Sequence, residues 1–266
     1  MKRNLIVLIA VIVFCFQGFA QENHSMSEAA QANNPLANMK AFNVQFNYLS
    51  NISGTDSKVN MTNLRYAQPI GRVLLRGTLP VLNSTTNMGQ QSGLGDLNLF
   101  ATYLVKTGAT NFGIGPMATF PTGTNSMGAD QYQVGAAFVA YIATNPKFQW
   151  GGLVTWNIGV GDRSDGDIPY YGEDINKQMN LMAIQPFYFF QLGKGRYLRG
   201  APIWTVDFQK EAYNFPIGIG YGQVVKIGNT VANLFIEPQY SIYSEGVGVP
   251  VFQLFTSINL QFLKGR

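Results

Sequence analysis

The sequence predicts an all-β protein, a transmembrane antiparallel β-barrel of about twelve strands that run up and down in chain order. Three observations predict this fold class. Charged residues are scarce while aromatic residues are abundant, apolar and polar residues alternate from residue 41 onward, and the connections between the alternating stretches are short and long in turn. Together these features are typical of a barrel whose outer surface contacts lipid.

The composition excludes two other classes of protein. The 266 residues are 46% hydrophobic, 13% aromatic and only 12% charged, which is about half the charge of an ordinary soluble domain. With 19 Phe and 13 Tyr, the chain has ample apolar surface to fold, so disorder is excluded. Beyond the N-terminus no apolar run reaches the roughly 20 residues of a membrane-spanning helix, so a helical membrane protein is also excluded.

Residues 1–20 have the pattern of a secretory signal peptide. Lys2 and Arg3 precede an apolar stretch at 5–16, and small residues before Gln21 favour cleavage there. Export to the cell outer membrane is therefore predicted. The only cysteine of the chain lies within this signal, so the exported protein would contain no disulfide bond. Basic residues are not clustered, which argues against a nucleic-acid partner.

Residues 21–40 form a polar N-terminal segment without a β pattern. Ser25 and Glu28 have the spacing of a capping box, which would open a short helix. We hypothesise that this segment folds as a short plug inside the barrel that residues 41–266 form.

The strands themselves are predicted from a period of two. In the first of them Phe42, Val44 and Phe46 alternate with Asn43 and Gln45, as in a strand with one apolar and one polar face. The same alternation recurs in twelve stretches, at residues 42–48, 62–66, 73–79, 97–105, 112–120, 132–142, 148–160, 182–192, 198–208, 215–225, 234–242 and 252–262.

Charge on these strands falls on one face only. The polar faces carry seven charged residues that we predict to face the lumen, namely Arg65, Arg72, Arg76, Asp96, Arg199, Asp207 and Glu237. The apolar faces carry none and would contact outer-membrane lipid. Their aromatic residues are predicted to form girdles at the membrane interfaces, rather than a ligand cage: Trp150, Trp156, Trp204, Tyr48, Tyr66, Tyr103, Tyr188 and Tyr240. A soluble β-sandwich that buries the apolar faces is the alternative.

Connection lengths favour the barrel over the sandwich. The long connections lie at about 50–58, 80–93, 121–131, 161–176, 209–213 and 244–250, and the short ones at about 68–71, 106–111, 143–147, 193–196 and 228–231. Short periplasmic turns and longer outer loops are typical of outer-membrane barrels. Phe262, on the apolar face of the last strand, is the kind of aromatic residue that barrel-assembly machinery recognises, so this machinery is a predicted partner.

Prolines inside the predicted strands complicate the pattern. Pro116, Pro186, Pro202 and Pro238 each remove a backbone donor from the sheet. We expect bulges at these positions, and a bulge would shift the assignment of faces by one residue.

Four stretches resemble a family of outer-membrane barrels named after the putative meta-pathway of phenol degradation. They are 93–105 (GLGDLNLFATYLV), 115–125 (GPMATFPTGTN), 184–208 and 215–243, the last two with Gln-Pro-Phe, Pro-Ile-Trp-Thr and Pro-Ile-Gly-Ile-Gly. Arg196 and Phe208 depart from the family, which tends to have Trp there. The resemblance implies transport of small hydrophobic or aromatic compounds, and it brings no catalytic residues.

Two groups of charged residues are candidate sites. Asp96 would either contact solute at a constriction or form a structural ion pair with Arg65, Arg72 or Arg76, and the ion pair is favoured because inward charges need partners where water is scarce. For the same reason a structural ion pair is favoured over solute contact for Arg199, Asp207 and Glu237. The acidic stretch 161–174 suits a solvated outer loop better than a Ca²⁺ site, because its spacing does not match an EF-hand.

The sequence argues against an enzyme and against a bound cofactor or metal. The only histidine, His24, lies in the N-terminal segment, and no thiol remains after signal removal. The leading hypothesis is passive diffusion of small molecules, including hydrophobic or aromatic ones, through the barrel. The alternative is a closed barrel with a structural or surface-interaction role and no pore.

Overall fold

Fifteen β-strand segments form one antiparallel sheet in a computed structural model that describes residues 31–87, 89–125, 127–161 and 178–263. In chain order the segments are β1 (Lys40–Ile52), β2 (Lys58–Ile70), β3 (Val73–Thr86), β4 (Gly89–Leu94), β5 (Leu97–Lys106), β6 (Thr110–Phe120), β7 (Tyr132–Ile142), β8 (Phe148–Val160), β9 (Asn180–Gly193), β10 (Arg196–Gly200), β11 (Trp204–Asp207), β12 (Ala212–Gly218), β13 (Gly220–Ile227), β14 (Thr230–Glu245) and β15 (Pro250–Phe262).

The sheet closes into a barrel of twelve strands. β1 pairs with β2 on one side and with β15 on the other, so the first and last strands meet. Three of the twelve strands are divided into two segments, namely β4 with β5, β10 with β11, and β12 with β13. Both segments of each pair lie against one continuous neighbour, which is β3, β9 and β14 respectively. Counting each divided strand once confirms the predicted number and the antiparallel order.

The predicted apolar faces point outward along the barrel wall. Ile114 is 52% exposed, while Met117 and Thr119 on the opposite face of β6 are buried. The same alternation runs along β7, where Val134 and Phe138 are exposed and Gln133 is buried. A closed barrel with an apolar outer surface exposes to lipid the residues that a soluble protein would bury.

The predicted long connection at 80–93 is wrong. β3 continues to Thr86 and pairs with β4 through the whole of this range, forming a hairpin. Its side chains bond across the strands, as Asn83 Nδ2 donates to Ser92 Oγ at 2.7 Å. Strand β4 of the hairpin is exposed on both faces, so it lacks the apolar alternation by which strands are recognised in sequence.

The expected bulges at Pro116, Pro186, Pro202 and Pro238 are also wrong, because the register is unchanged on either side of each. Two of these prolines face each other instead. Gly200 pairs with Tyr188 and Trp204 with Ile184, so Pro202 of the β10–β11 strand lies opposite Pro186 of β9.

A third proline extends the same interruption in the wall. Gly218 pairs with Gln239 and Tyr221 with Ile236, so Pro238 lies opposite Ile219, between β12 and β13. A bulge does occur at Pro216, where the pairing of β12 with β14 shifts between Phe215 and Pro216. Prolines on four neighbouring strands therefore interrupt the hydrogen-bond ladder together. Other register shifts lie near turns, between Leu104 and Lys106 and between Arg196 and Tyr197.

Within the described ranges the search for an apolar helix of membrane-spanning length found none.

Candidate functional site in the barrel lumen

The chain before β1 crosses the inside of the barrel. Ala32 is buried in a cluster with Tyr141, Phe187 and Tyr197, on strands of one part of the wall. Leu36 is buried against Leu74, Leu104 and Val139, on strands of another part. The described portion of the segment, residues 31–39, thus lies across the lumen near the end where the short turns are.

Hydrogen bonds attach this segment to the wall. Asn233 Nδ2 of β14 donates to Asn33 Oδ1 at 2.9 Å and to the Ala32 carbonyl at 3.3 Å, and Gln261 Nε2 of β15 donates to the same carbonyl at 3.0 Å. Tyr197 OH donates to Asn233 Oδ1 at 2.5 Å, which orients the amide. These side-chain hydrogen bonds hold the segment at Ala32 and Asn33, whereas a strand is held along its length by a continuous backbone ladder.

Two cavities lie beside the segment. One, of about 170 Å³, lies between residues 32–39 and the wall around Arg65, Arg76 and Arg199. The other, of about 520 Å³, lies between residues 31–39 and β13–β15, beside Val224 and Lys226. The lumen is thus divided by the N-terminal segment.

Arg199 and Glu237 form a buried ion pair in the wall. Arg199 Nε donates to Glu237 Oε2 at 2.6 Å, and neither side chain is more than 7% exposed. The guanidinium carbon of Arg199 lies 3.4 Å from the centre of the Phe235 ring, within cation–π distance. Glu237 Oε1 accepts from Gln239 Nε2 at 2.7 Å. The sequence favours a structural ion pair for each of these side chains, which this contact confirms, but it does not identify the partner of either one.

Side chains also satisfy the backbone where the prolines interrupt the ladder. The Ala201 N–H donates to Glu237 Oε1 at 2.8 Å, and the Ala201 carbonyl accepts from Gln185 Nε2 at 3.0 Å. Trp204 Nε1 donates to the Pro216 carbonyl at 2.9 Å. Backbone groups at membrane depth need such partners because lipid supplies none. Glu237 therefore neutralises Arg199 and completes the wall.

Arg65 and Arg76 line the same cavity on β2 and β3. Arg65 Nε donates to Thr78 Oγ1 at 3.1 Å, and the Arg76 guanidinium carbon lies 3.9 Å from the centre of the Phe100 ring. Arg76 Nε is buried without a hydrogen-bond partner. In the part of the chain that the structure describes, no carboxylate forms an ion pair with either arginine.

The other three predicted lumen charges lie elsewhere. Arg72 is exposed in the turn between β2 and β3. Asp207, at the end of β11, accepts from the backbone amides of Gln209 and Lys210, both at 3.0 Å, and so stabilises an outer turn.

The expected ion pair between Asp96 and an arginine is wrong. Asp96 lies between β4 and β5, and its two carboxylate oxygens accept from the amides of Gly123 at 3.0 Å and Ala129 at 2.7 Å. It thereby fastens the loop 121–131 to the wall. Backbone amides are sufficient partners for a carboxylate, so no arginine is required.

The aromatic content of the lumen is not predicted by the alternation of polar and apolar residues. Five phenylalanines on the inner faces are at most 8% exposed: Phe100, Phe187, Phe189, Phe235 and Phe255. Phe187 and Phe189 share their face of β9 with Gln185 and Gln191, a face that alternation alone classes as polar. The unbroken run of aromatics at 187–190 was the available signal, since such a run requires apolar surroundings on both faces.

Several predictions concern residues outside the described ranges. The signal peptide at 1–20, residues 21–30 of the N-terminal segment and most of the acidic stretch 161–174 fall there. Among the residues that the structure does describe, no three His, Cys, Asp or Glu side chains converge on a potential metal site.

The predicted girdle residues Trp150 and Trp156 are both 50% exposed on the outer surface.

Comparison with known proteins adds the fold relationship. No family model matches the chain and no curated protein does either, so the resemblance to the phenol meta-pathway family stays a prediction. The solved COG4313 outer membrane channel from Pseudomonas putida F1 has a TM-score of 0.64 at 15% identity, covering 85% of this chain and 96% of that chain. The NanC porin has a TM-score of 0.51 at 9% identity, covering 83% of this chain and 98% of its own. The chain therefore has the fold of an outer-membrane β-barrel, as the sequence predicts.

Proposed function

We propose that this protein is a passive channel of the outer membrane for small molecules with a large apolar surface, and that it is not an enzyme. The observation that carries the proposal is the set of five buried phenylalanines on the inner faces of the barrel. Water-filled porins have a polar interior, so an aromatic interior favours apolar or aromatic solutes. This agrees with the transport that the resemblance to the phenol meta-pathway family implies.

In this proposal the N-terminal segment acts as a plug. Ala32 and Leu36 are 6% and 4% exposed and contact different sets of wall residues. Passage of a solute would require this segment to move. Side-chain hydrogen bonds from Asn233 and Gln261 hold it in place of the backbone ladder that holds a strand, so we expect it to open at lower free energy than the sheet does.

We further propose that outer-membrane lipid surrounds the barrel and that barrel-assembly machinery inserts it. The support is the apolar outer surface, which continues to Phe262, 41% exposed at the end of β15.

The alternative is a closed barrel with a structural or surface role. It is favoured by the size of the cavity beside the arginines, about 170 Å³, which is below the roughly 300–1,000 Å³ of typical ligand pockets. A plug that never moves would leave no path through this barrel.

Three proteins purified from outer membranes would distinguish the two functions. They are the unmodified protein, a variant lacking residues 32–38, and a control in which Gly and Ser replace residues 32–38 at the same length. Single-channel conductance in planar bilayers reports an ion path. Uptake of the fluorescent hydrophobic probe N-phenyl-1-naphthylamine by cells that do or do not make the protein reports an apolar path.

We expect the protein to accelerate probe uptake, and both variants to show higher conductance than the unmodified protein. The Gly-Ser control separates the loss of the Ala32 and Leu36 contacts from a mere shortening of the chain. If none of the three proteins conducts ions or accelerates probe uptake above that of cells without the protein, the channel is refuted and the closed barrel is supported.

A further inference from the structure

Two lumen arginines lie close together and lack the partner that the third one has. Arg65 pairs with Thr78 and Arg76 with Ala67 in the register of β2 and β3, so the two side chains are diagonal neighbours on the inner face. Diagonal neighbours in an antiparallel sheet are about 7–8 Å apart, within reach of one another's long side chains. One ligand is therefore able to contact both guanidinium groups.

Among the residues that the structure describes, no carboxylate balances the charge of this pair. Arg199 meets Glu237, whereas Arg65 donates to the neutral Thr78 hydroxyl and Arg76 stacks on Phe100. Two like charges repel each other strongly where water is limited. An anion between them would remove this repulsion and supply acceptors for the donors that remain, and guanidinium groups bind a carboxylate with matching planar geometry.

The remaining lining of the cavity is mixed, because amide side chains such as Asn43 and Gln185 are part of it. Its apolar part includes Leu36, Leu74, Val139 and Leu153 together with the ring of Phe100. An inorganic anion would leave these walls without a partner, while a hydrocarbon attached to the anion would cover them. The volume of about 170 Å³ suits a head group and a short part of such a chain.

We propose that Arg65 and Arg76 bind the carboxylate of an anionic amphiphile inside the barrel, with its hydrocarbon against the surrounding apolar side chains. This inference rests on the proposed function, because it names the class of solute that the channel would recognise: a carboxylate joined to an apolar body. The channel would then select solutes by their negative charge as well as by their apolar surface.

Octanoate is the probe for this site. Isothermal titration of octanoate into the purified full-length protein in lipid nanodiscs, with empty nanodiscs subtracted, measures saturable binding apart from partition into lipid. Octylammonium has the same chain with the opposite charge, and acetate has the same head group without the chain. We expect saturable binding of octanoate, weaker binding of acetate and no saturable binding of octylammonium.

Variants identify the residues. Arg65→Gln and Arg76→Gln should each weaken octanoate binding about tenfold or more, the effect of losing one charge-assisted hydrogen bond. Arg72→Gln is the matched control, because Arg72 is exposed in the adjacent turn, and it should bind like the unmodified protein.

Two further variants keep the test valid if a glutamine variant does not fold. Thr78→Asp places a carboxylate beside Arg65, so it should abolish octanoate binding in a barrel that still shows the heat-dependent gel mobility of the folded protein. Arg76→Lys keeps the charge and should retain part of the binding.

The proposal is overturned if octanoate shows no saturable binding to the unmodified protein, or if octylammonium or acetate binds as tightly. It is equally overturned if the two glutamine variants, or Thr78→Asp, bind octanoate normally. Probe uptake measured on the same proteins separates the two proposals. Binding without uptake would refute the channel and leave the site standing, whereas uptake without binding would refute the site alone.

Discussion

Glu237→Ala removes the carboxylate that joins the ion pair to the wall, and we expect it to destabilise the barrel strongly. Glu237 is fully buried and accepts from Arg199, the Ala201 amide and Gln239. The substitution leaves a buried guanidinium without a counter-charge, which costs about 3–5 kcal/mol in comparable pairs. The Ala201 amide also loses its partner at a place where the ladder offers no replacement.

The double variant Arg199→Met with Glu237→Leu isolates the contribution of the charge. It removes both charges and leaves mainly the Ala201 amide unsatisfied, a cost of about 1–3 kcal/mol. We therefore expect it to be more stable than Glu237→Ala alone, although it changes two residues. Single Arg199→Met and single Glu237→Leu complete the cycle, and the difference between the summed and the combined effects gives the coupling of the pair.

Urea unfolding of the barrel in lipid vesicles, followed by tryptophan fluorescence, measures these free energies. Glu245→Ala is the control, because Glu245 is an exposed carboxylate at the outer end of the same strand, and we expect a change within about 0.5 kcal/mol. Two results would contradict this account of the wall. One is a Glu237→Ala barrel that is as stable as the unmodified protein, and the other is a double variant that is less stable than Glu237→Ala.

Two other substitutions test packing and loop attachment. Gly222→Ala places a Cβ 2.2 Å from Cζ of Tyr197 and should cost about 1–3 kcal/mol in the same urea assay; Gly152→Ala, whose nearest neighbour is 3.5 Å away, should be nearly neutral, and equal effects at the two glycines would refute the packing argument. Asp96→Ala removes both hydrogen bonds to the loop 121–131, so limited proteolysis should cleave that loop several times faster while the barrel stays folded. Unchanged cleavage would mean that Asp96 does not hold the loop.

How much of the barrel is predictable from sequence depends on where lipid is. Residues such as Phe46, Ile114 and Phe138 are apolar because they face lipid, and this constraint acts at every second position of every strand. The outer hairpin of β3 and β4 is not predicted because β4 is exposed on both faces, so no alternation of apolar and polar residues marks it. The absence of bulges at the prolines was not predictable either, because the effect of a proline depends on which residue lies opposite. Pro186 lies opposite Pro202.

The candidate site was predictable only in part. Parity placed Arg65, Arg76, Arg199 and Glu237 on inner faces, but the pairing of Arg199 with Glu237 depends on the register of strands that are far apart in the chain. Asp96 has no arginine partner because the fold brings the amides of Gly123 and Ala129 to it. Inward phenylalanines such as Phe187 are an exception to the polar interior of porins. They are accommodated because the N-terminal segment packs on them and shields them from water.

The fold class, the number of strands and the lipid-facing side of each strand follow from the amino-acid pattern alone, because a membrane imposes the same requirement on every strand. Which charges are neutralised and what fills the lumen are set in three dimensions. Those properties depend on barrel closure, which brings β15 beside β1, and on the course of residues 31–39 across the interior. Closure and that course are set by contacts between distant parts of the chain, and local periodicity carries no information about them.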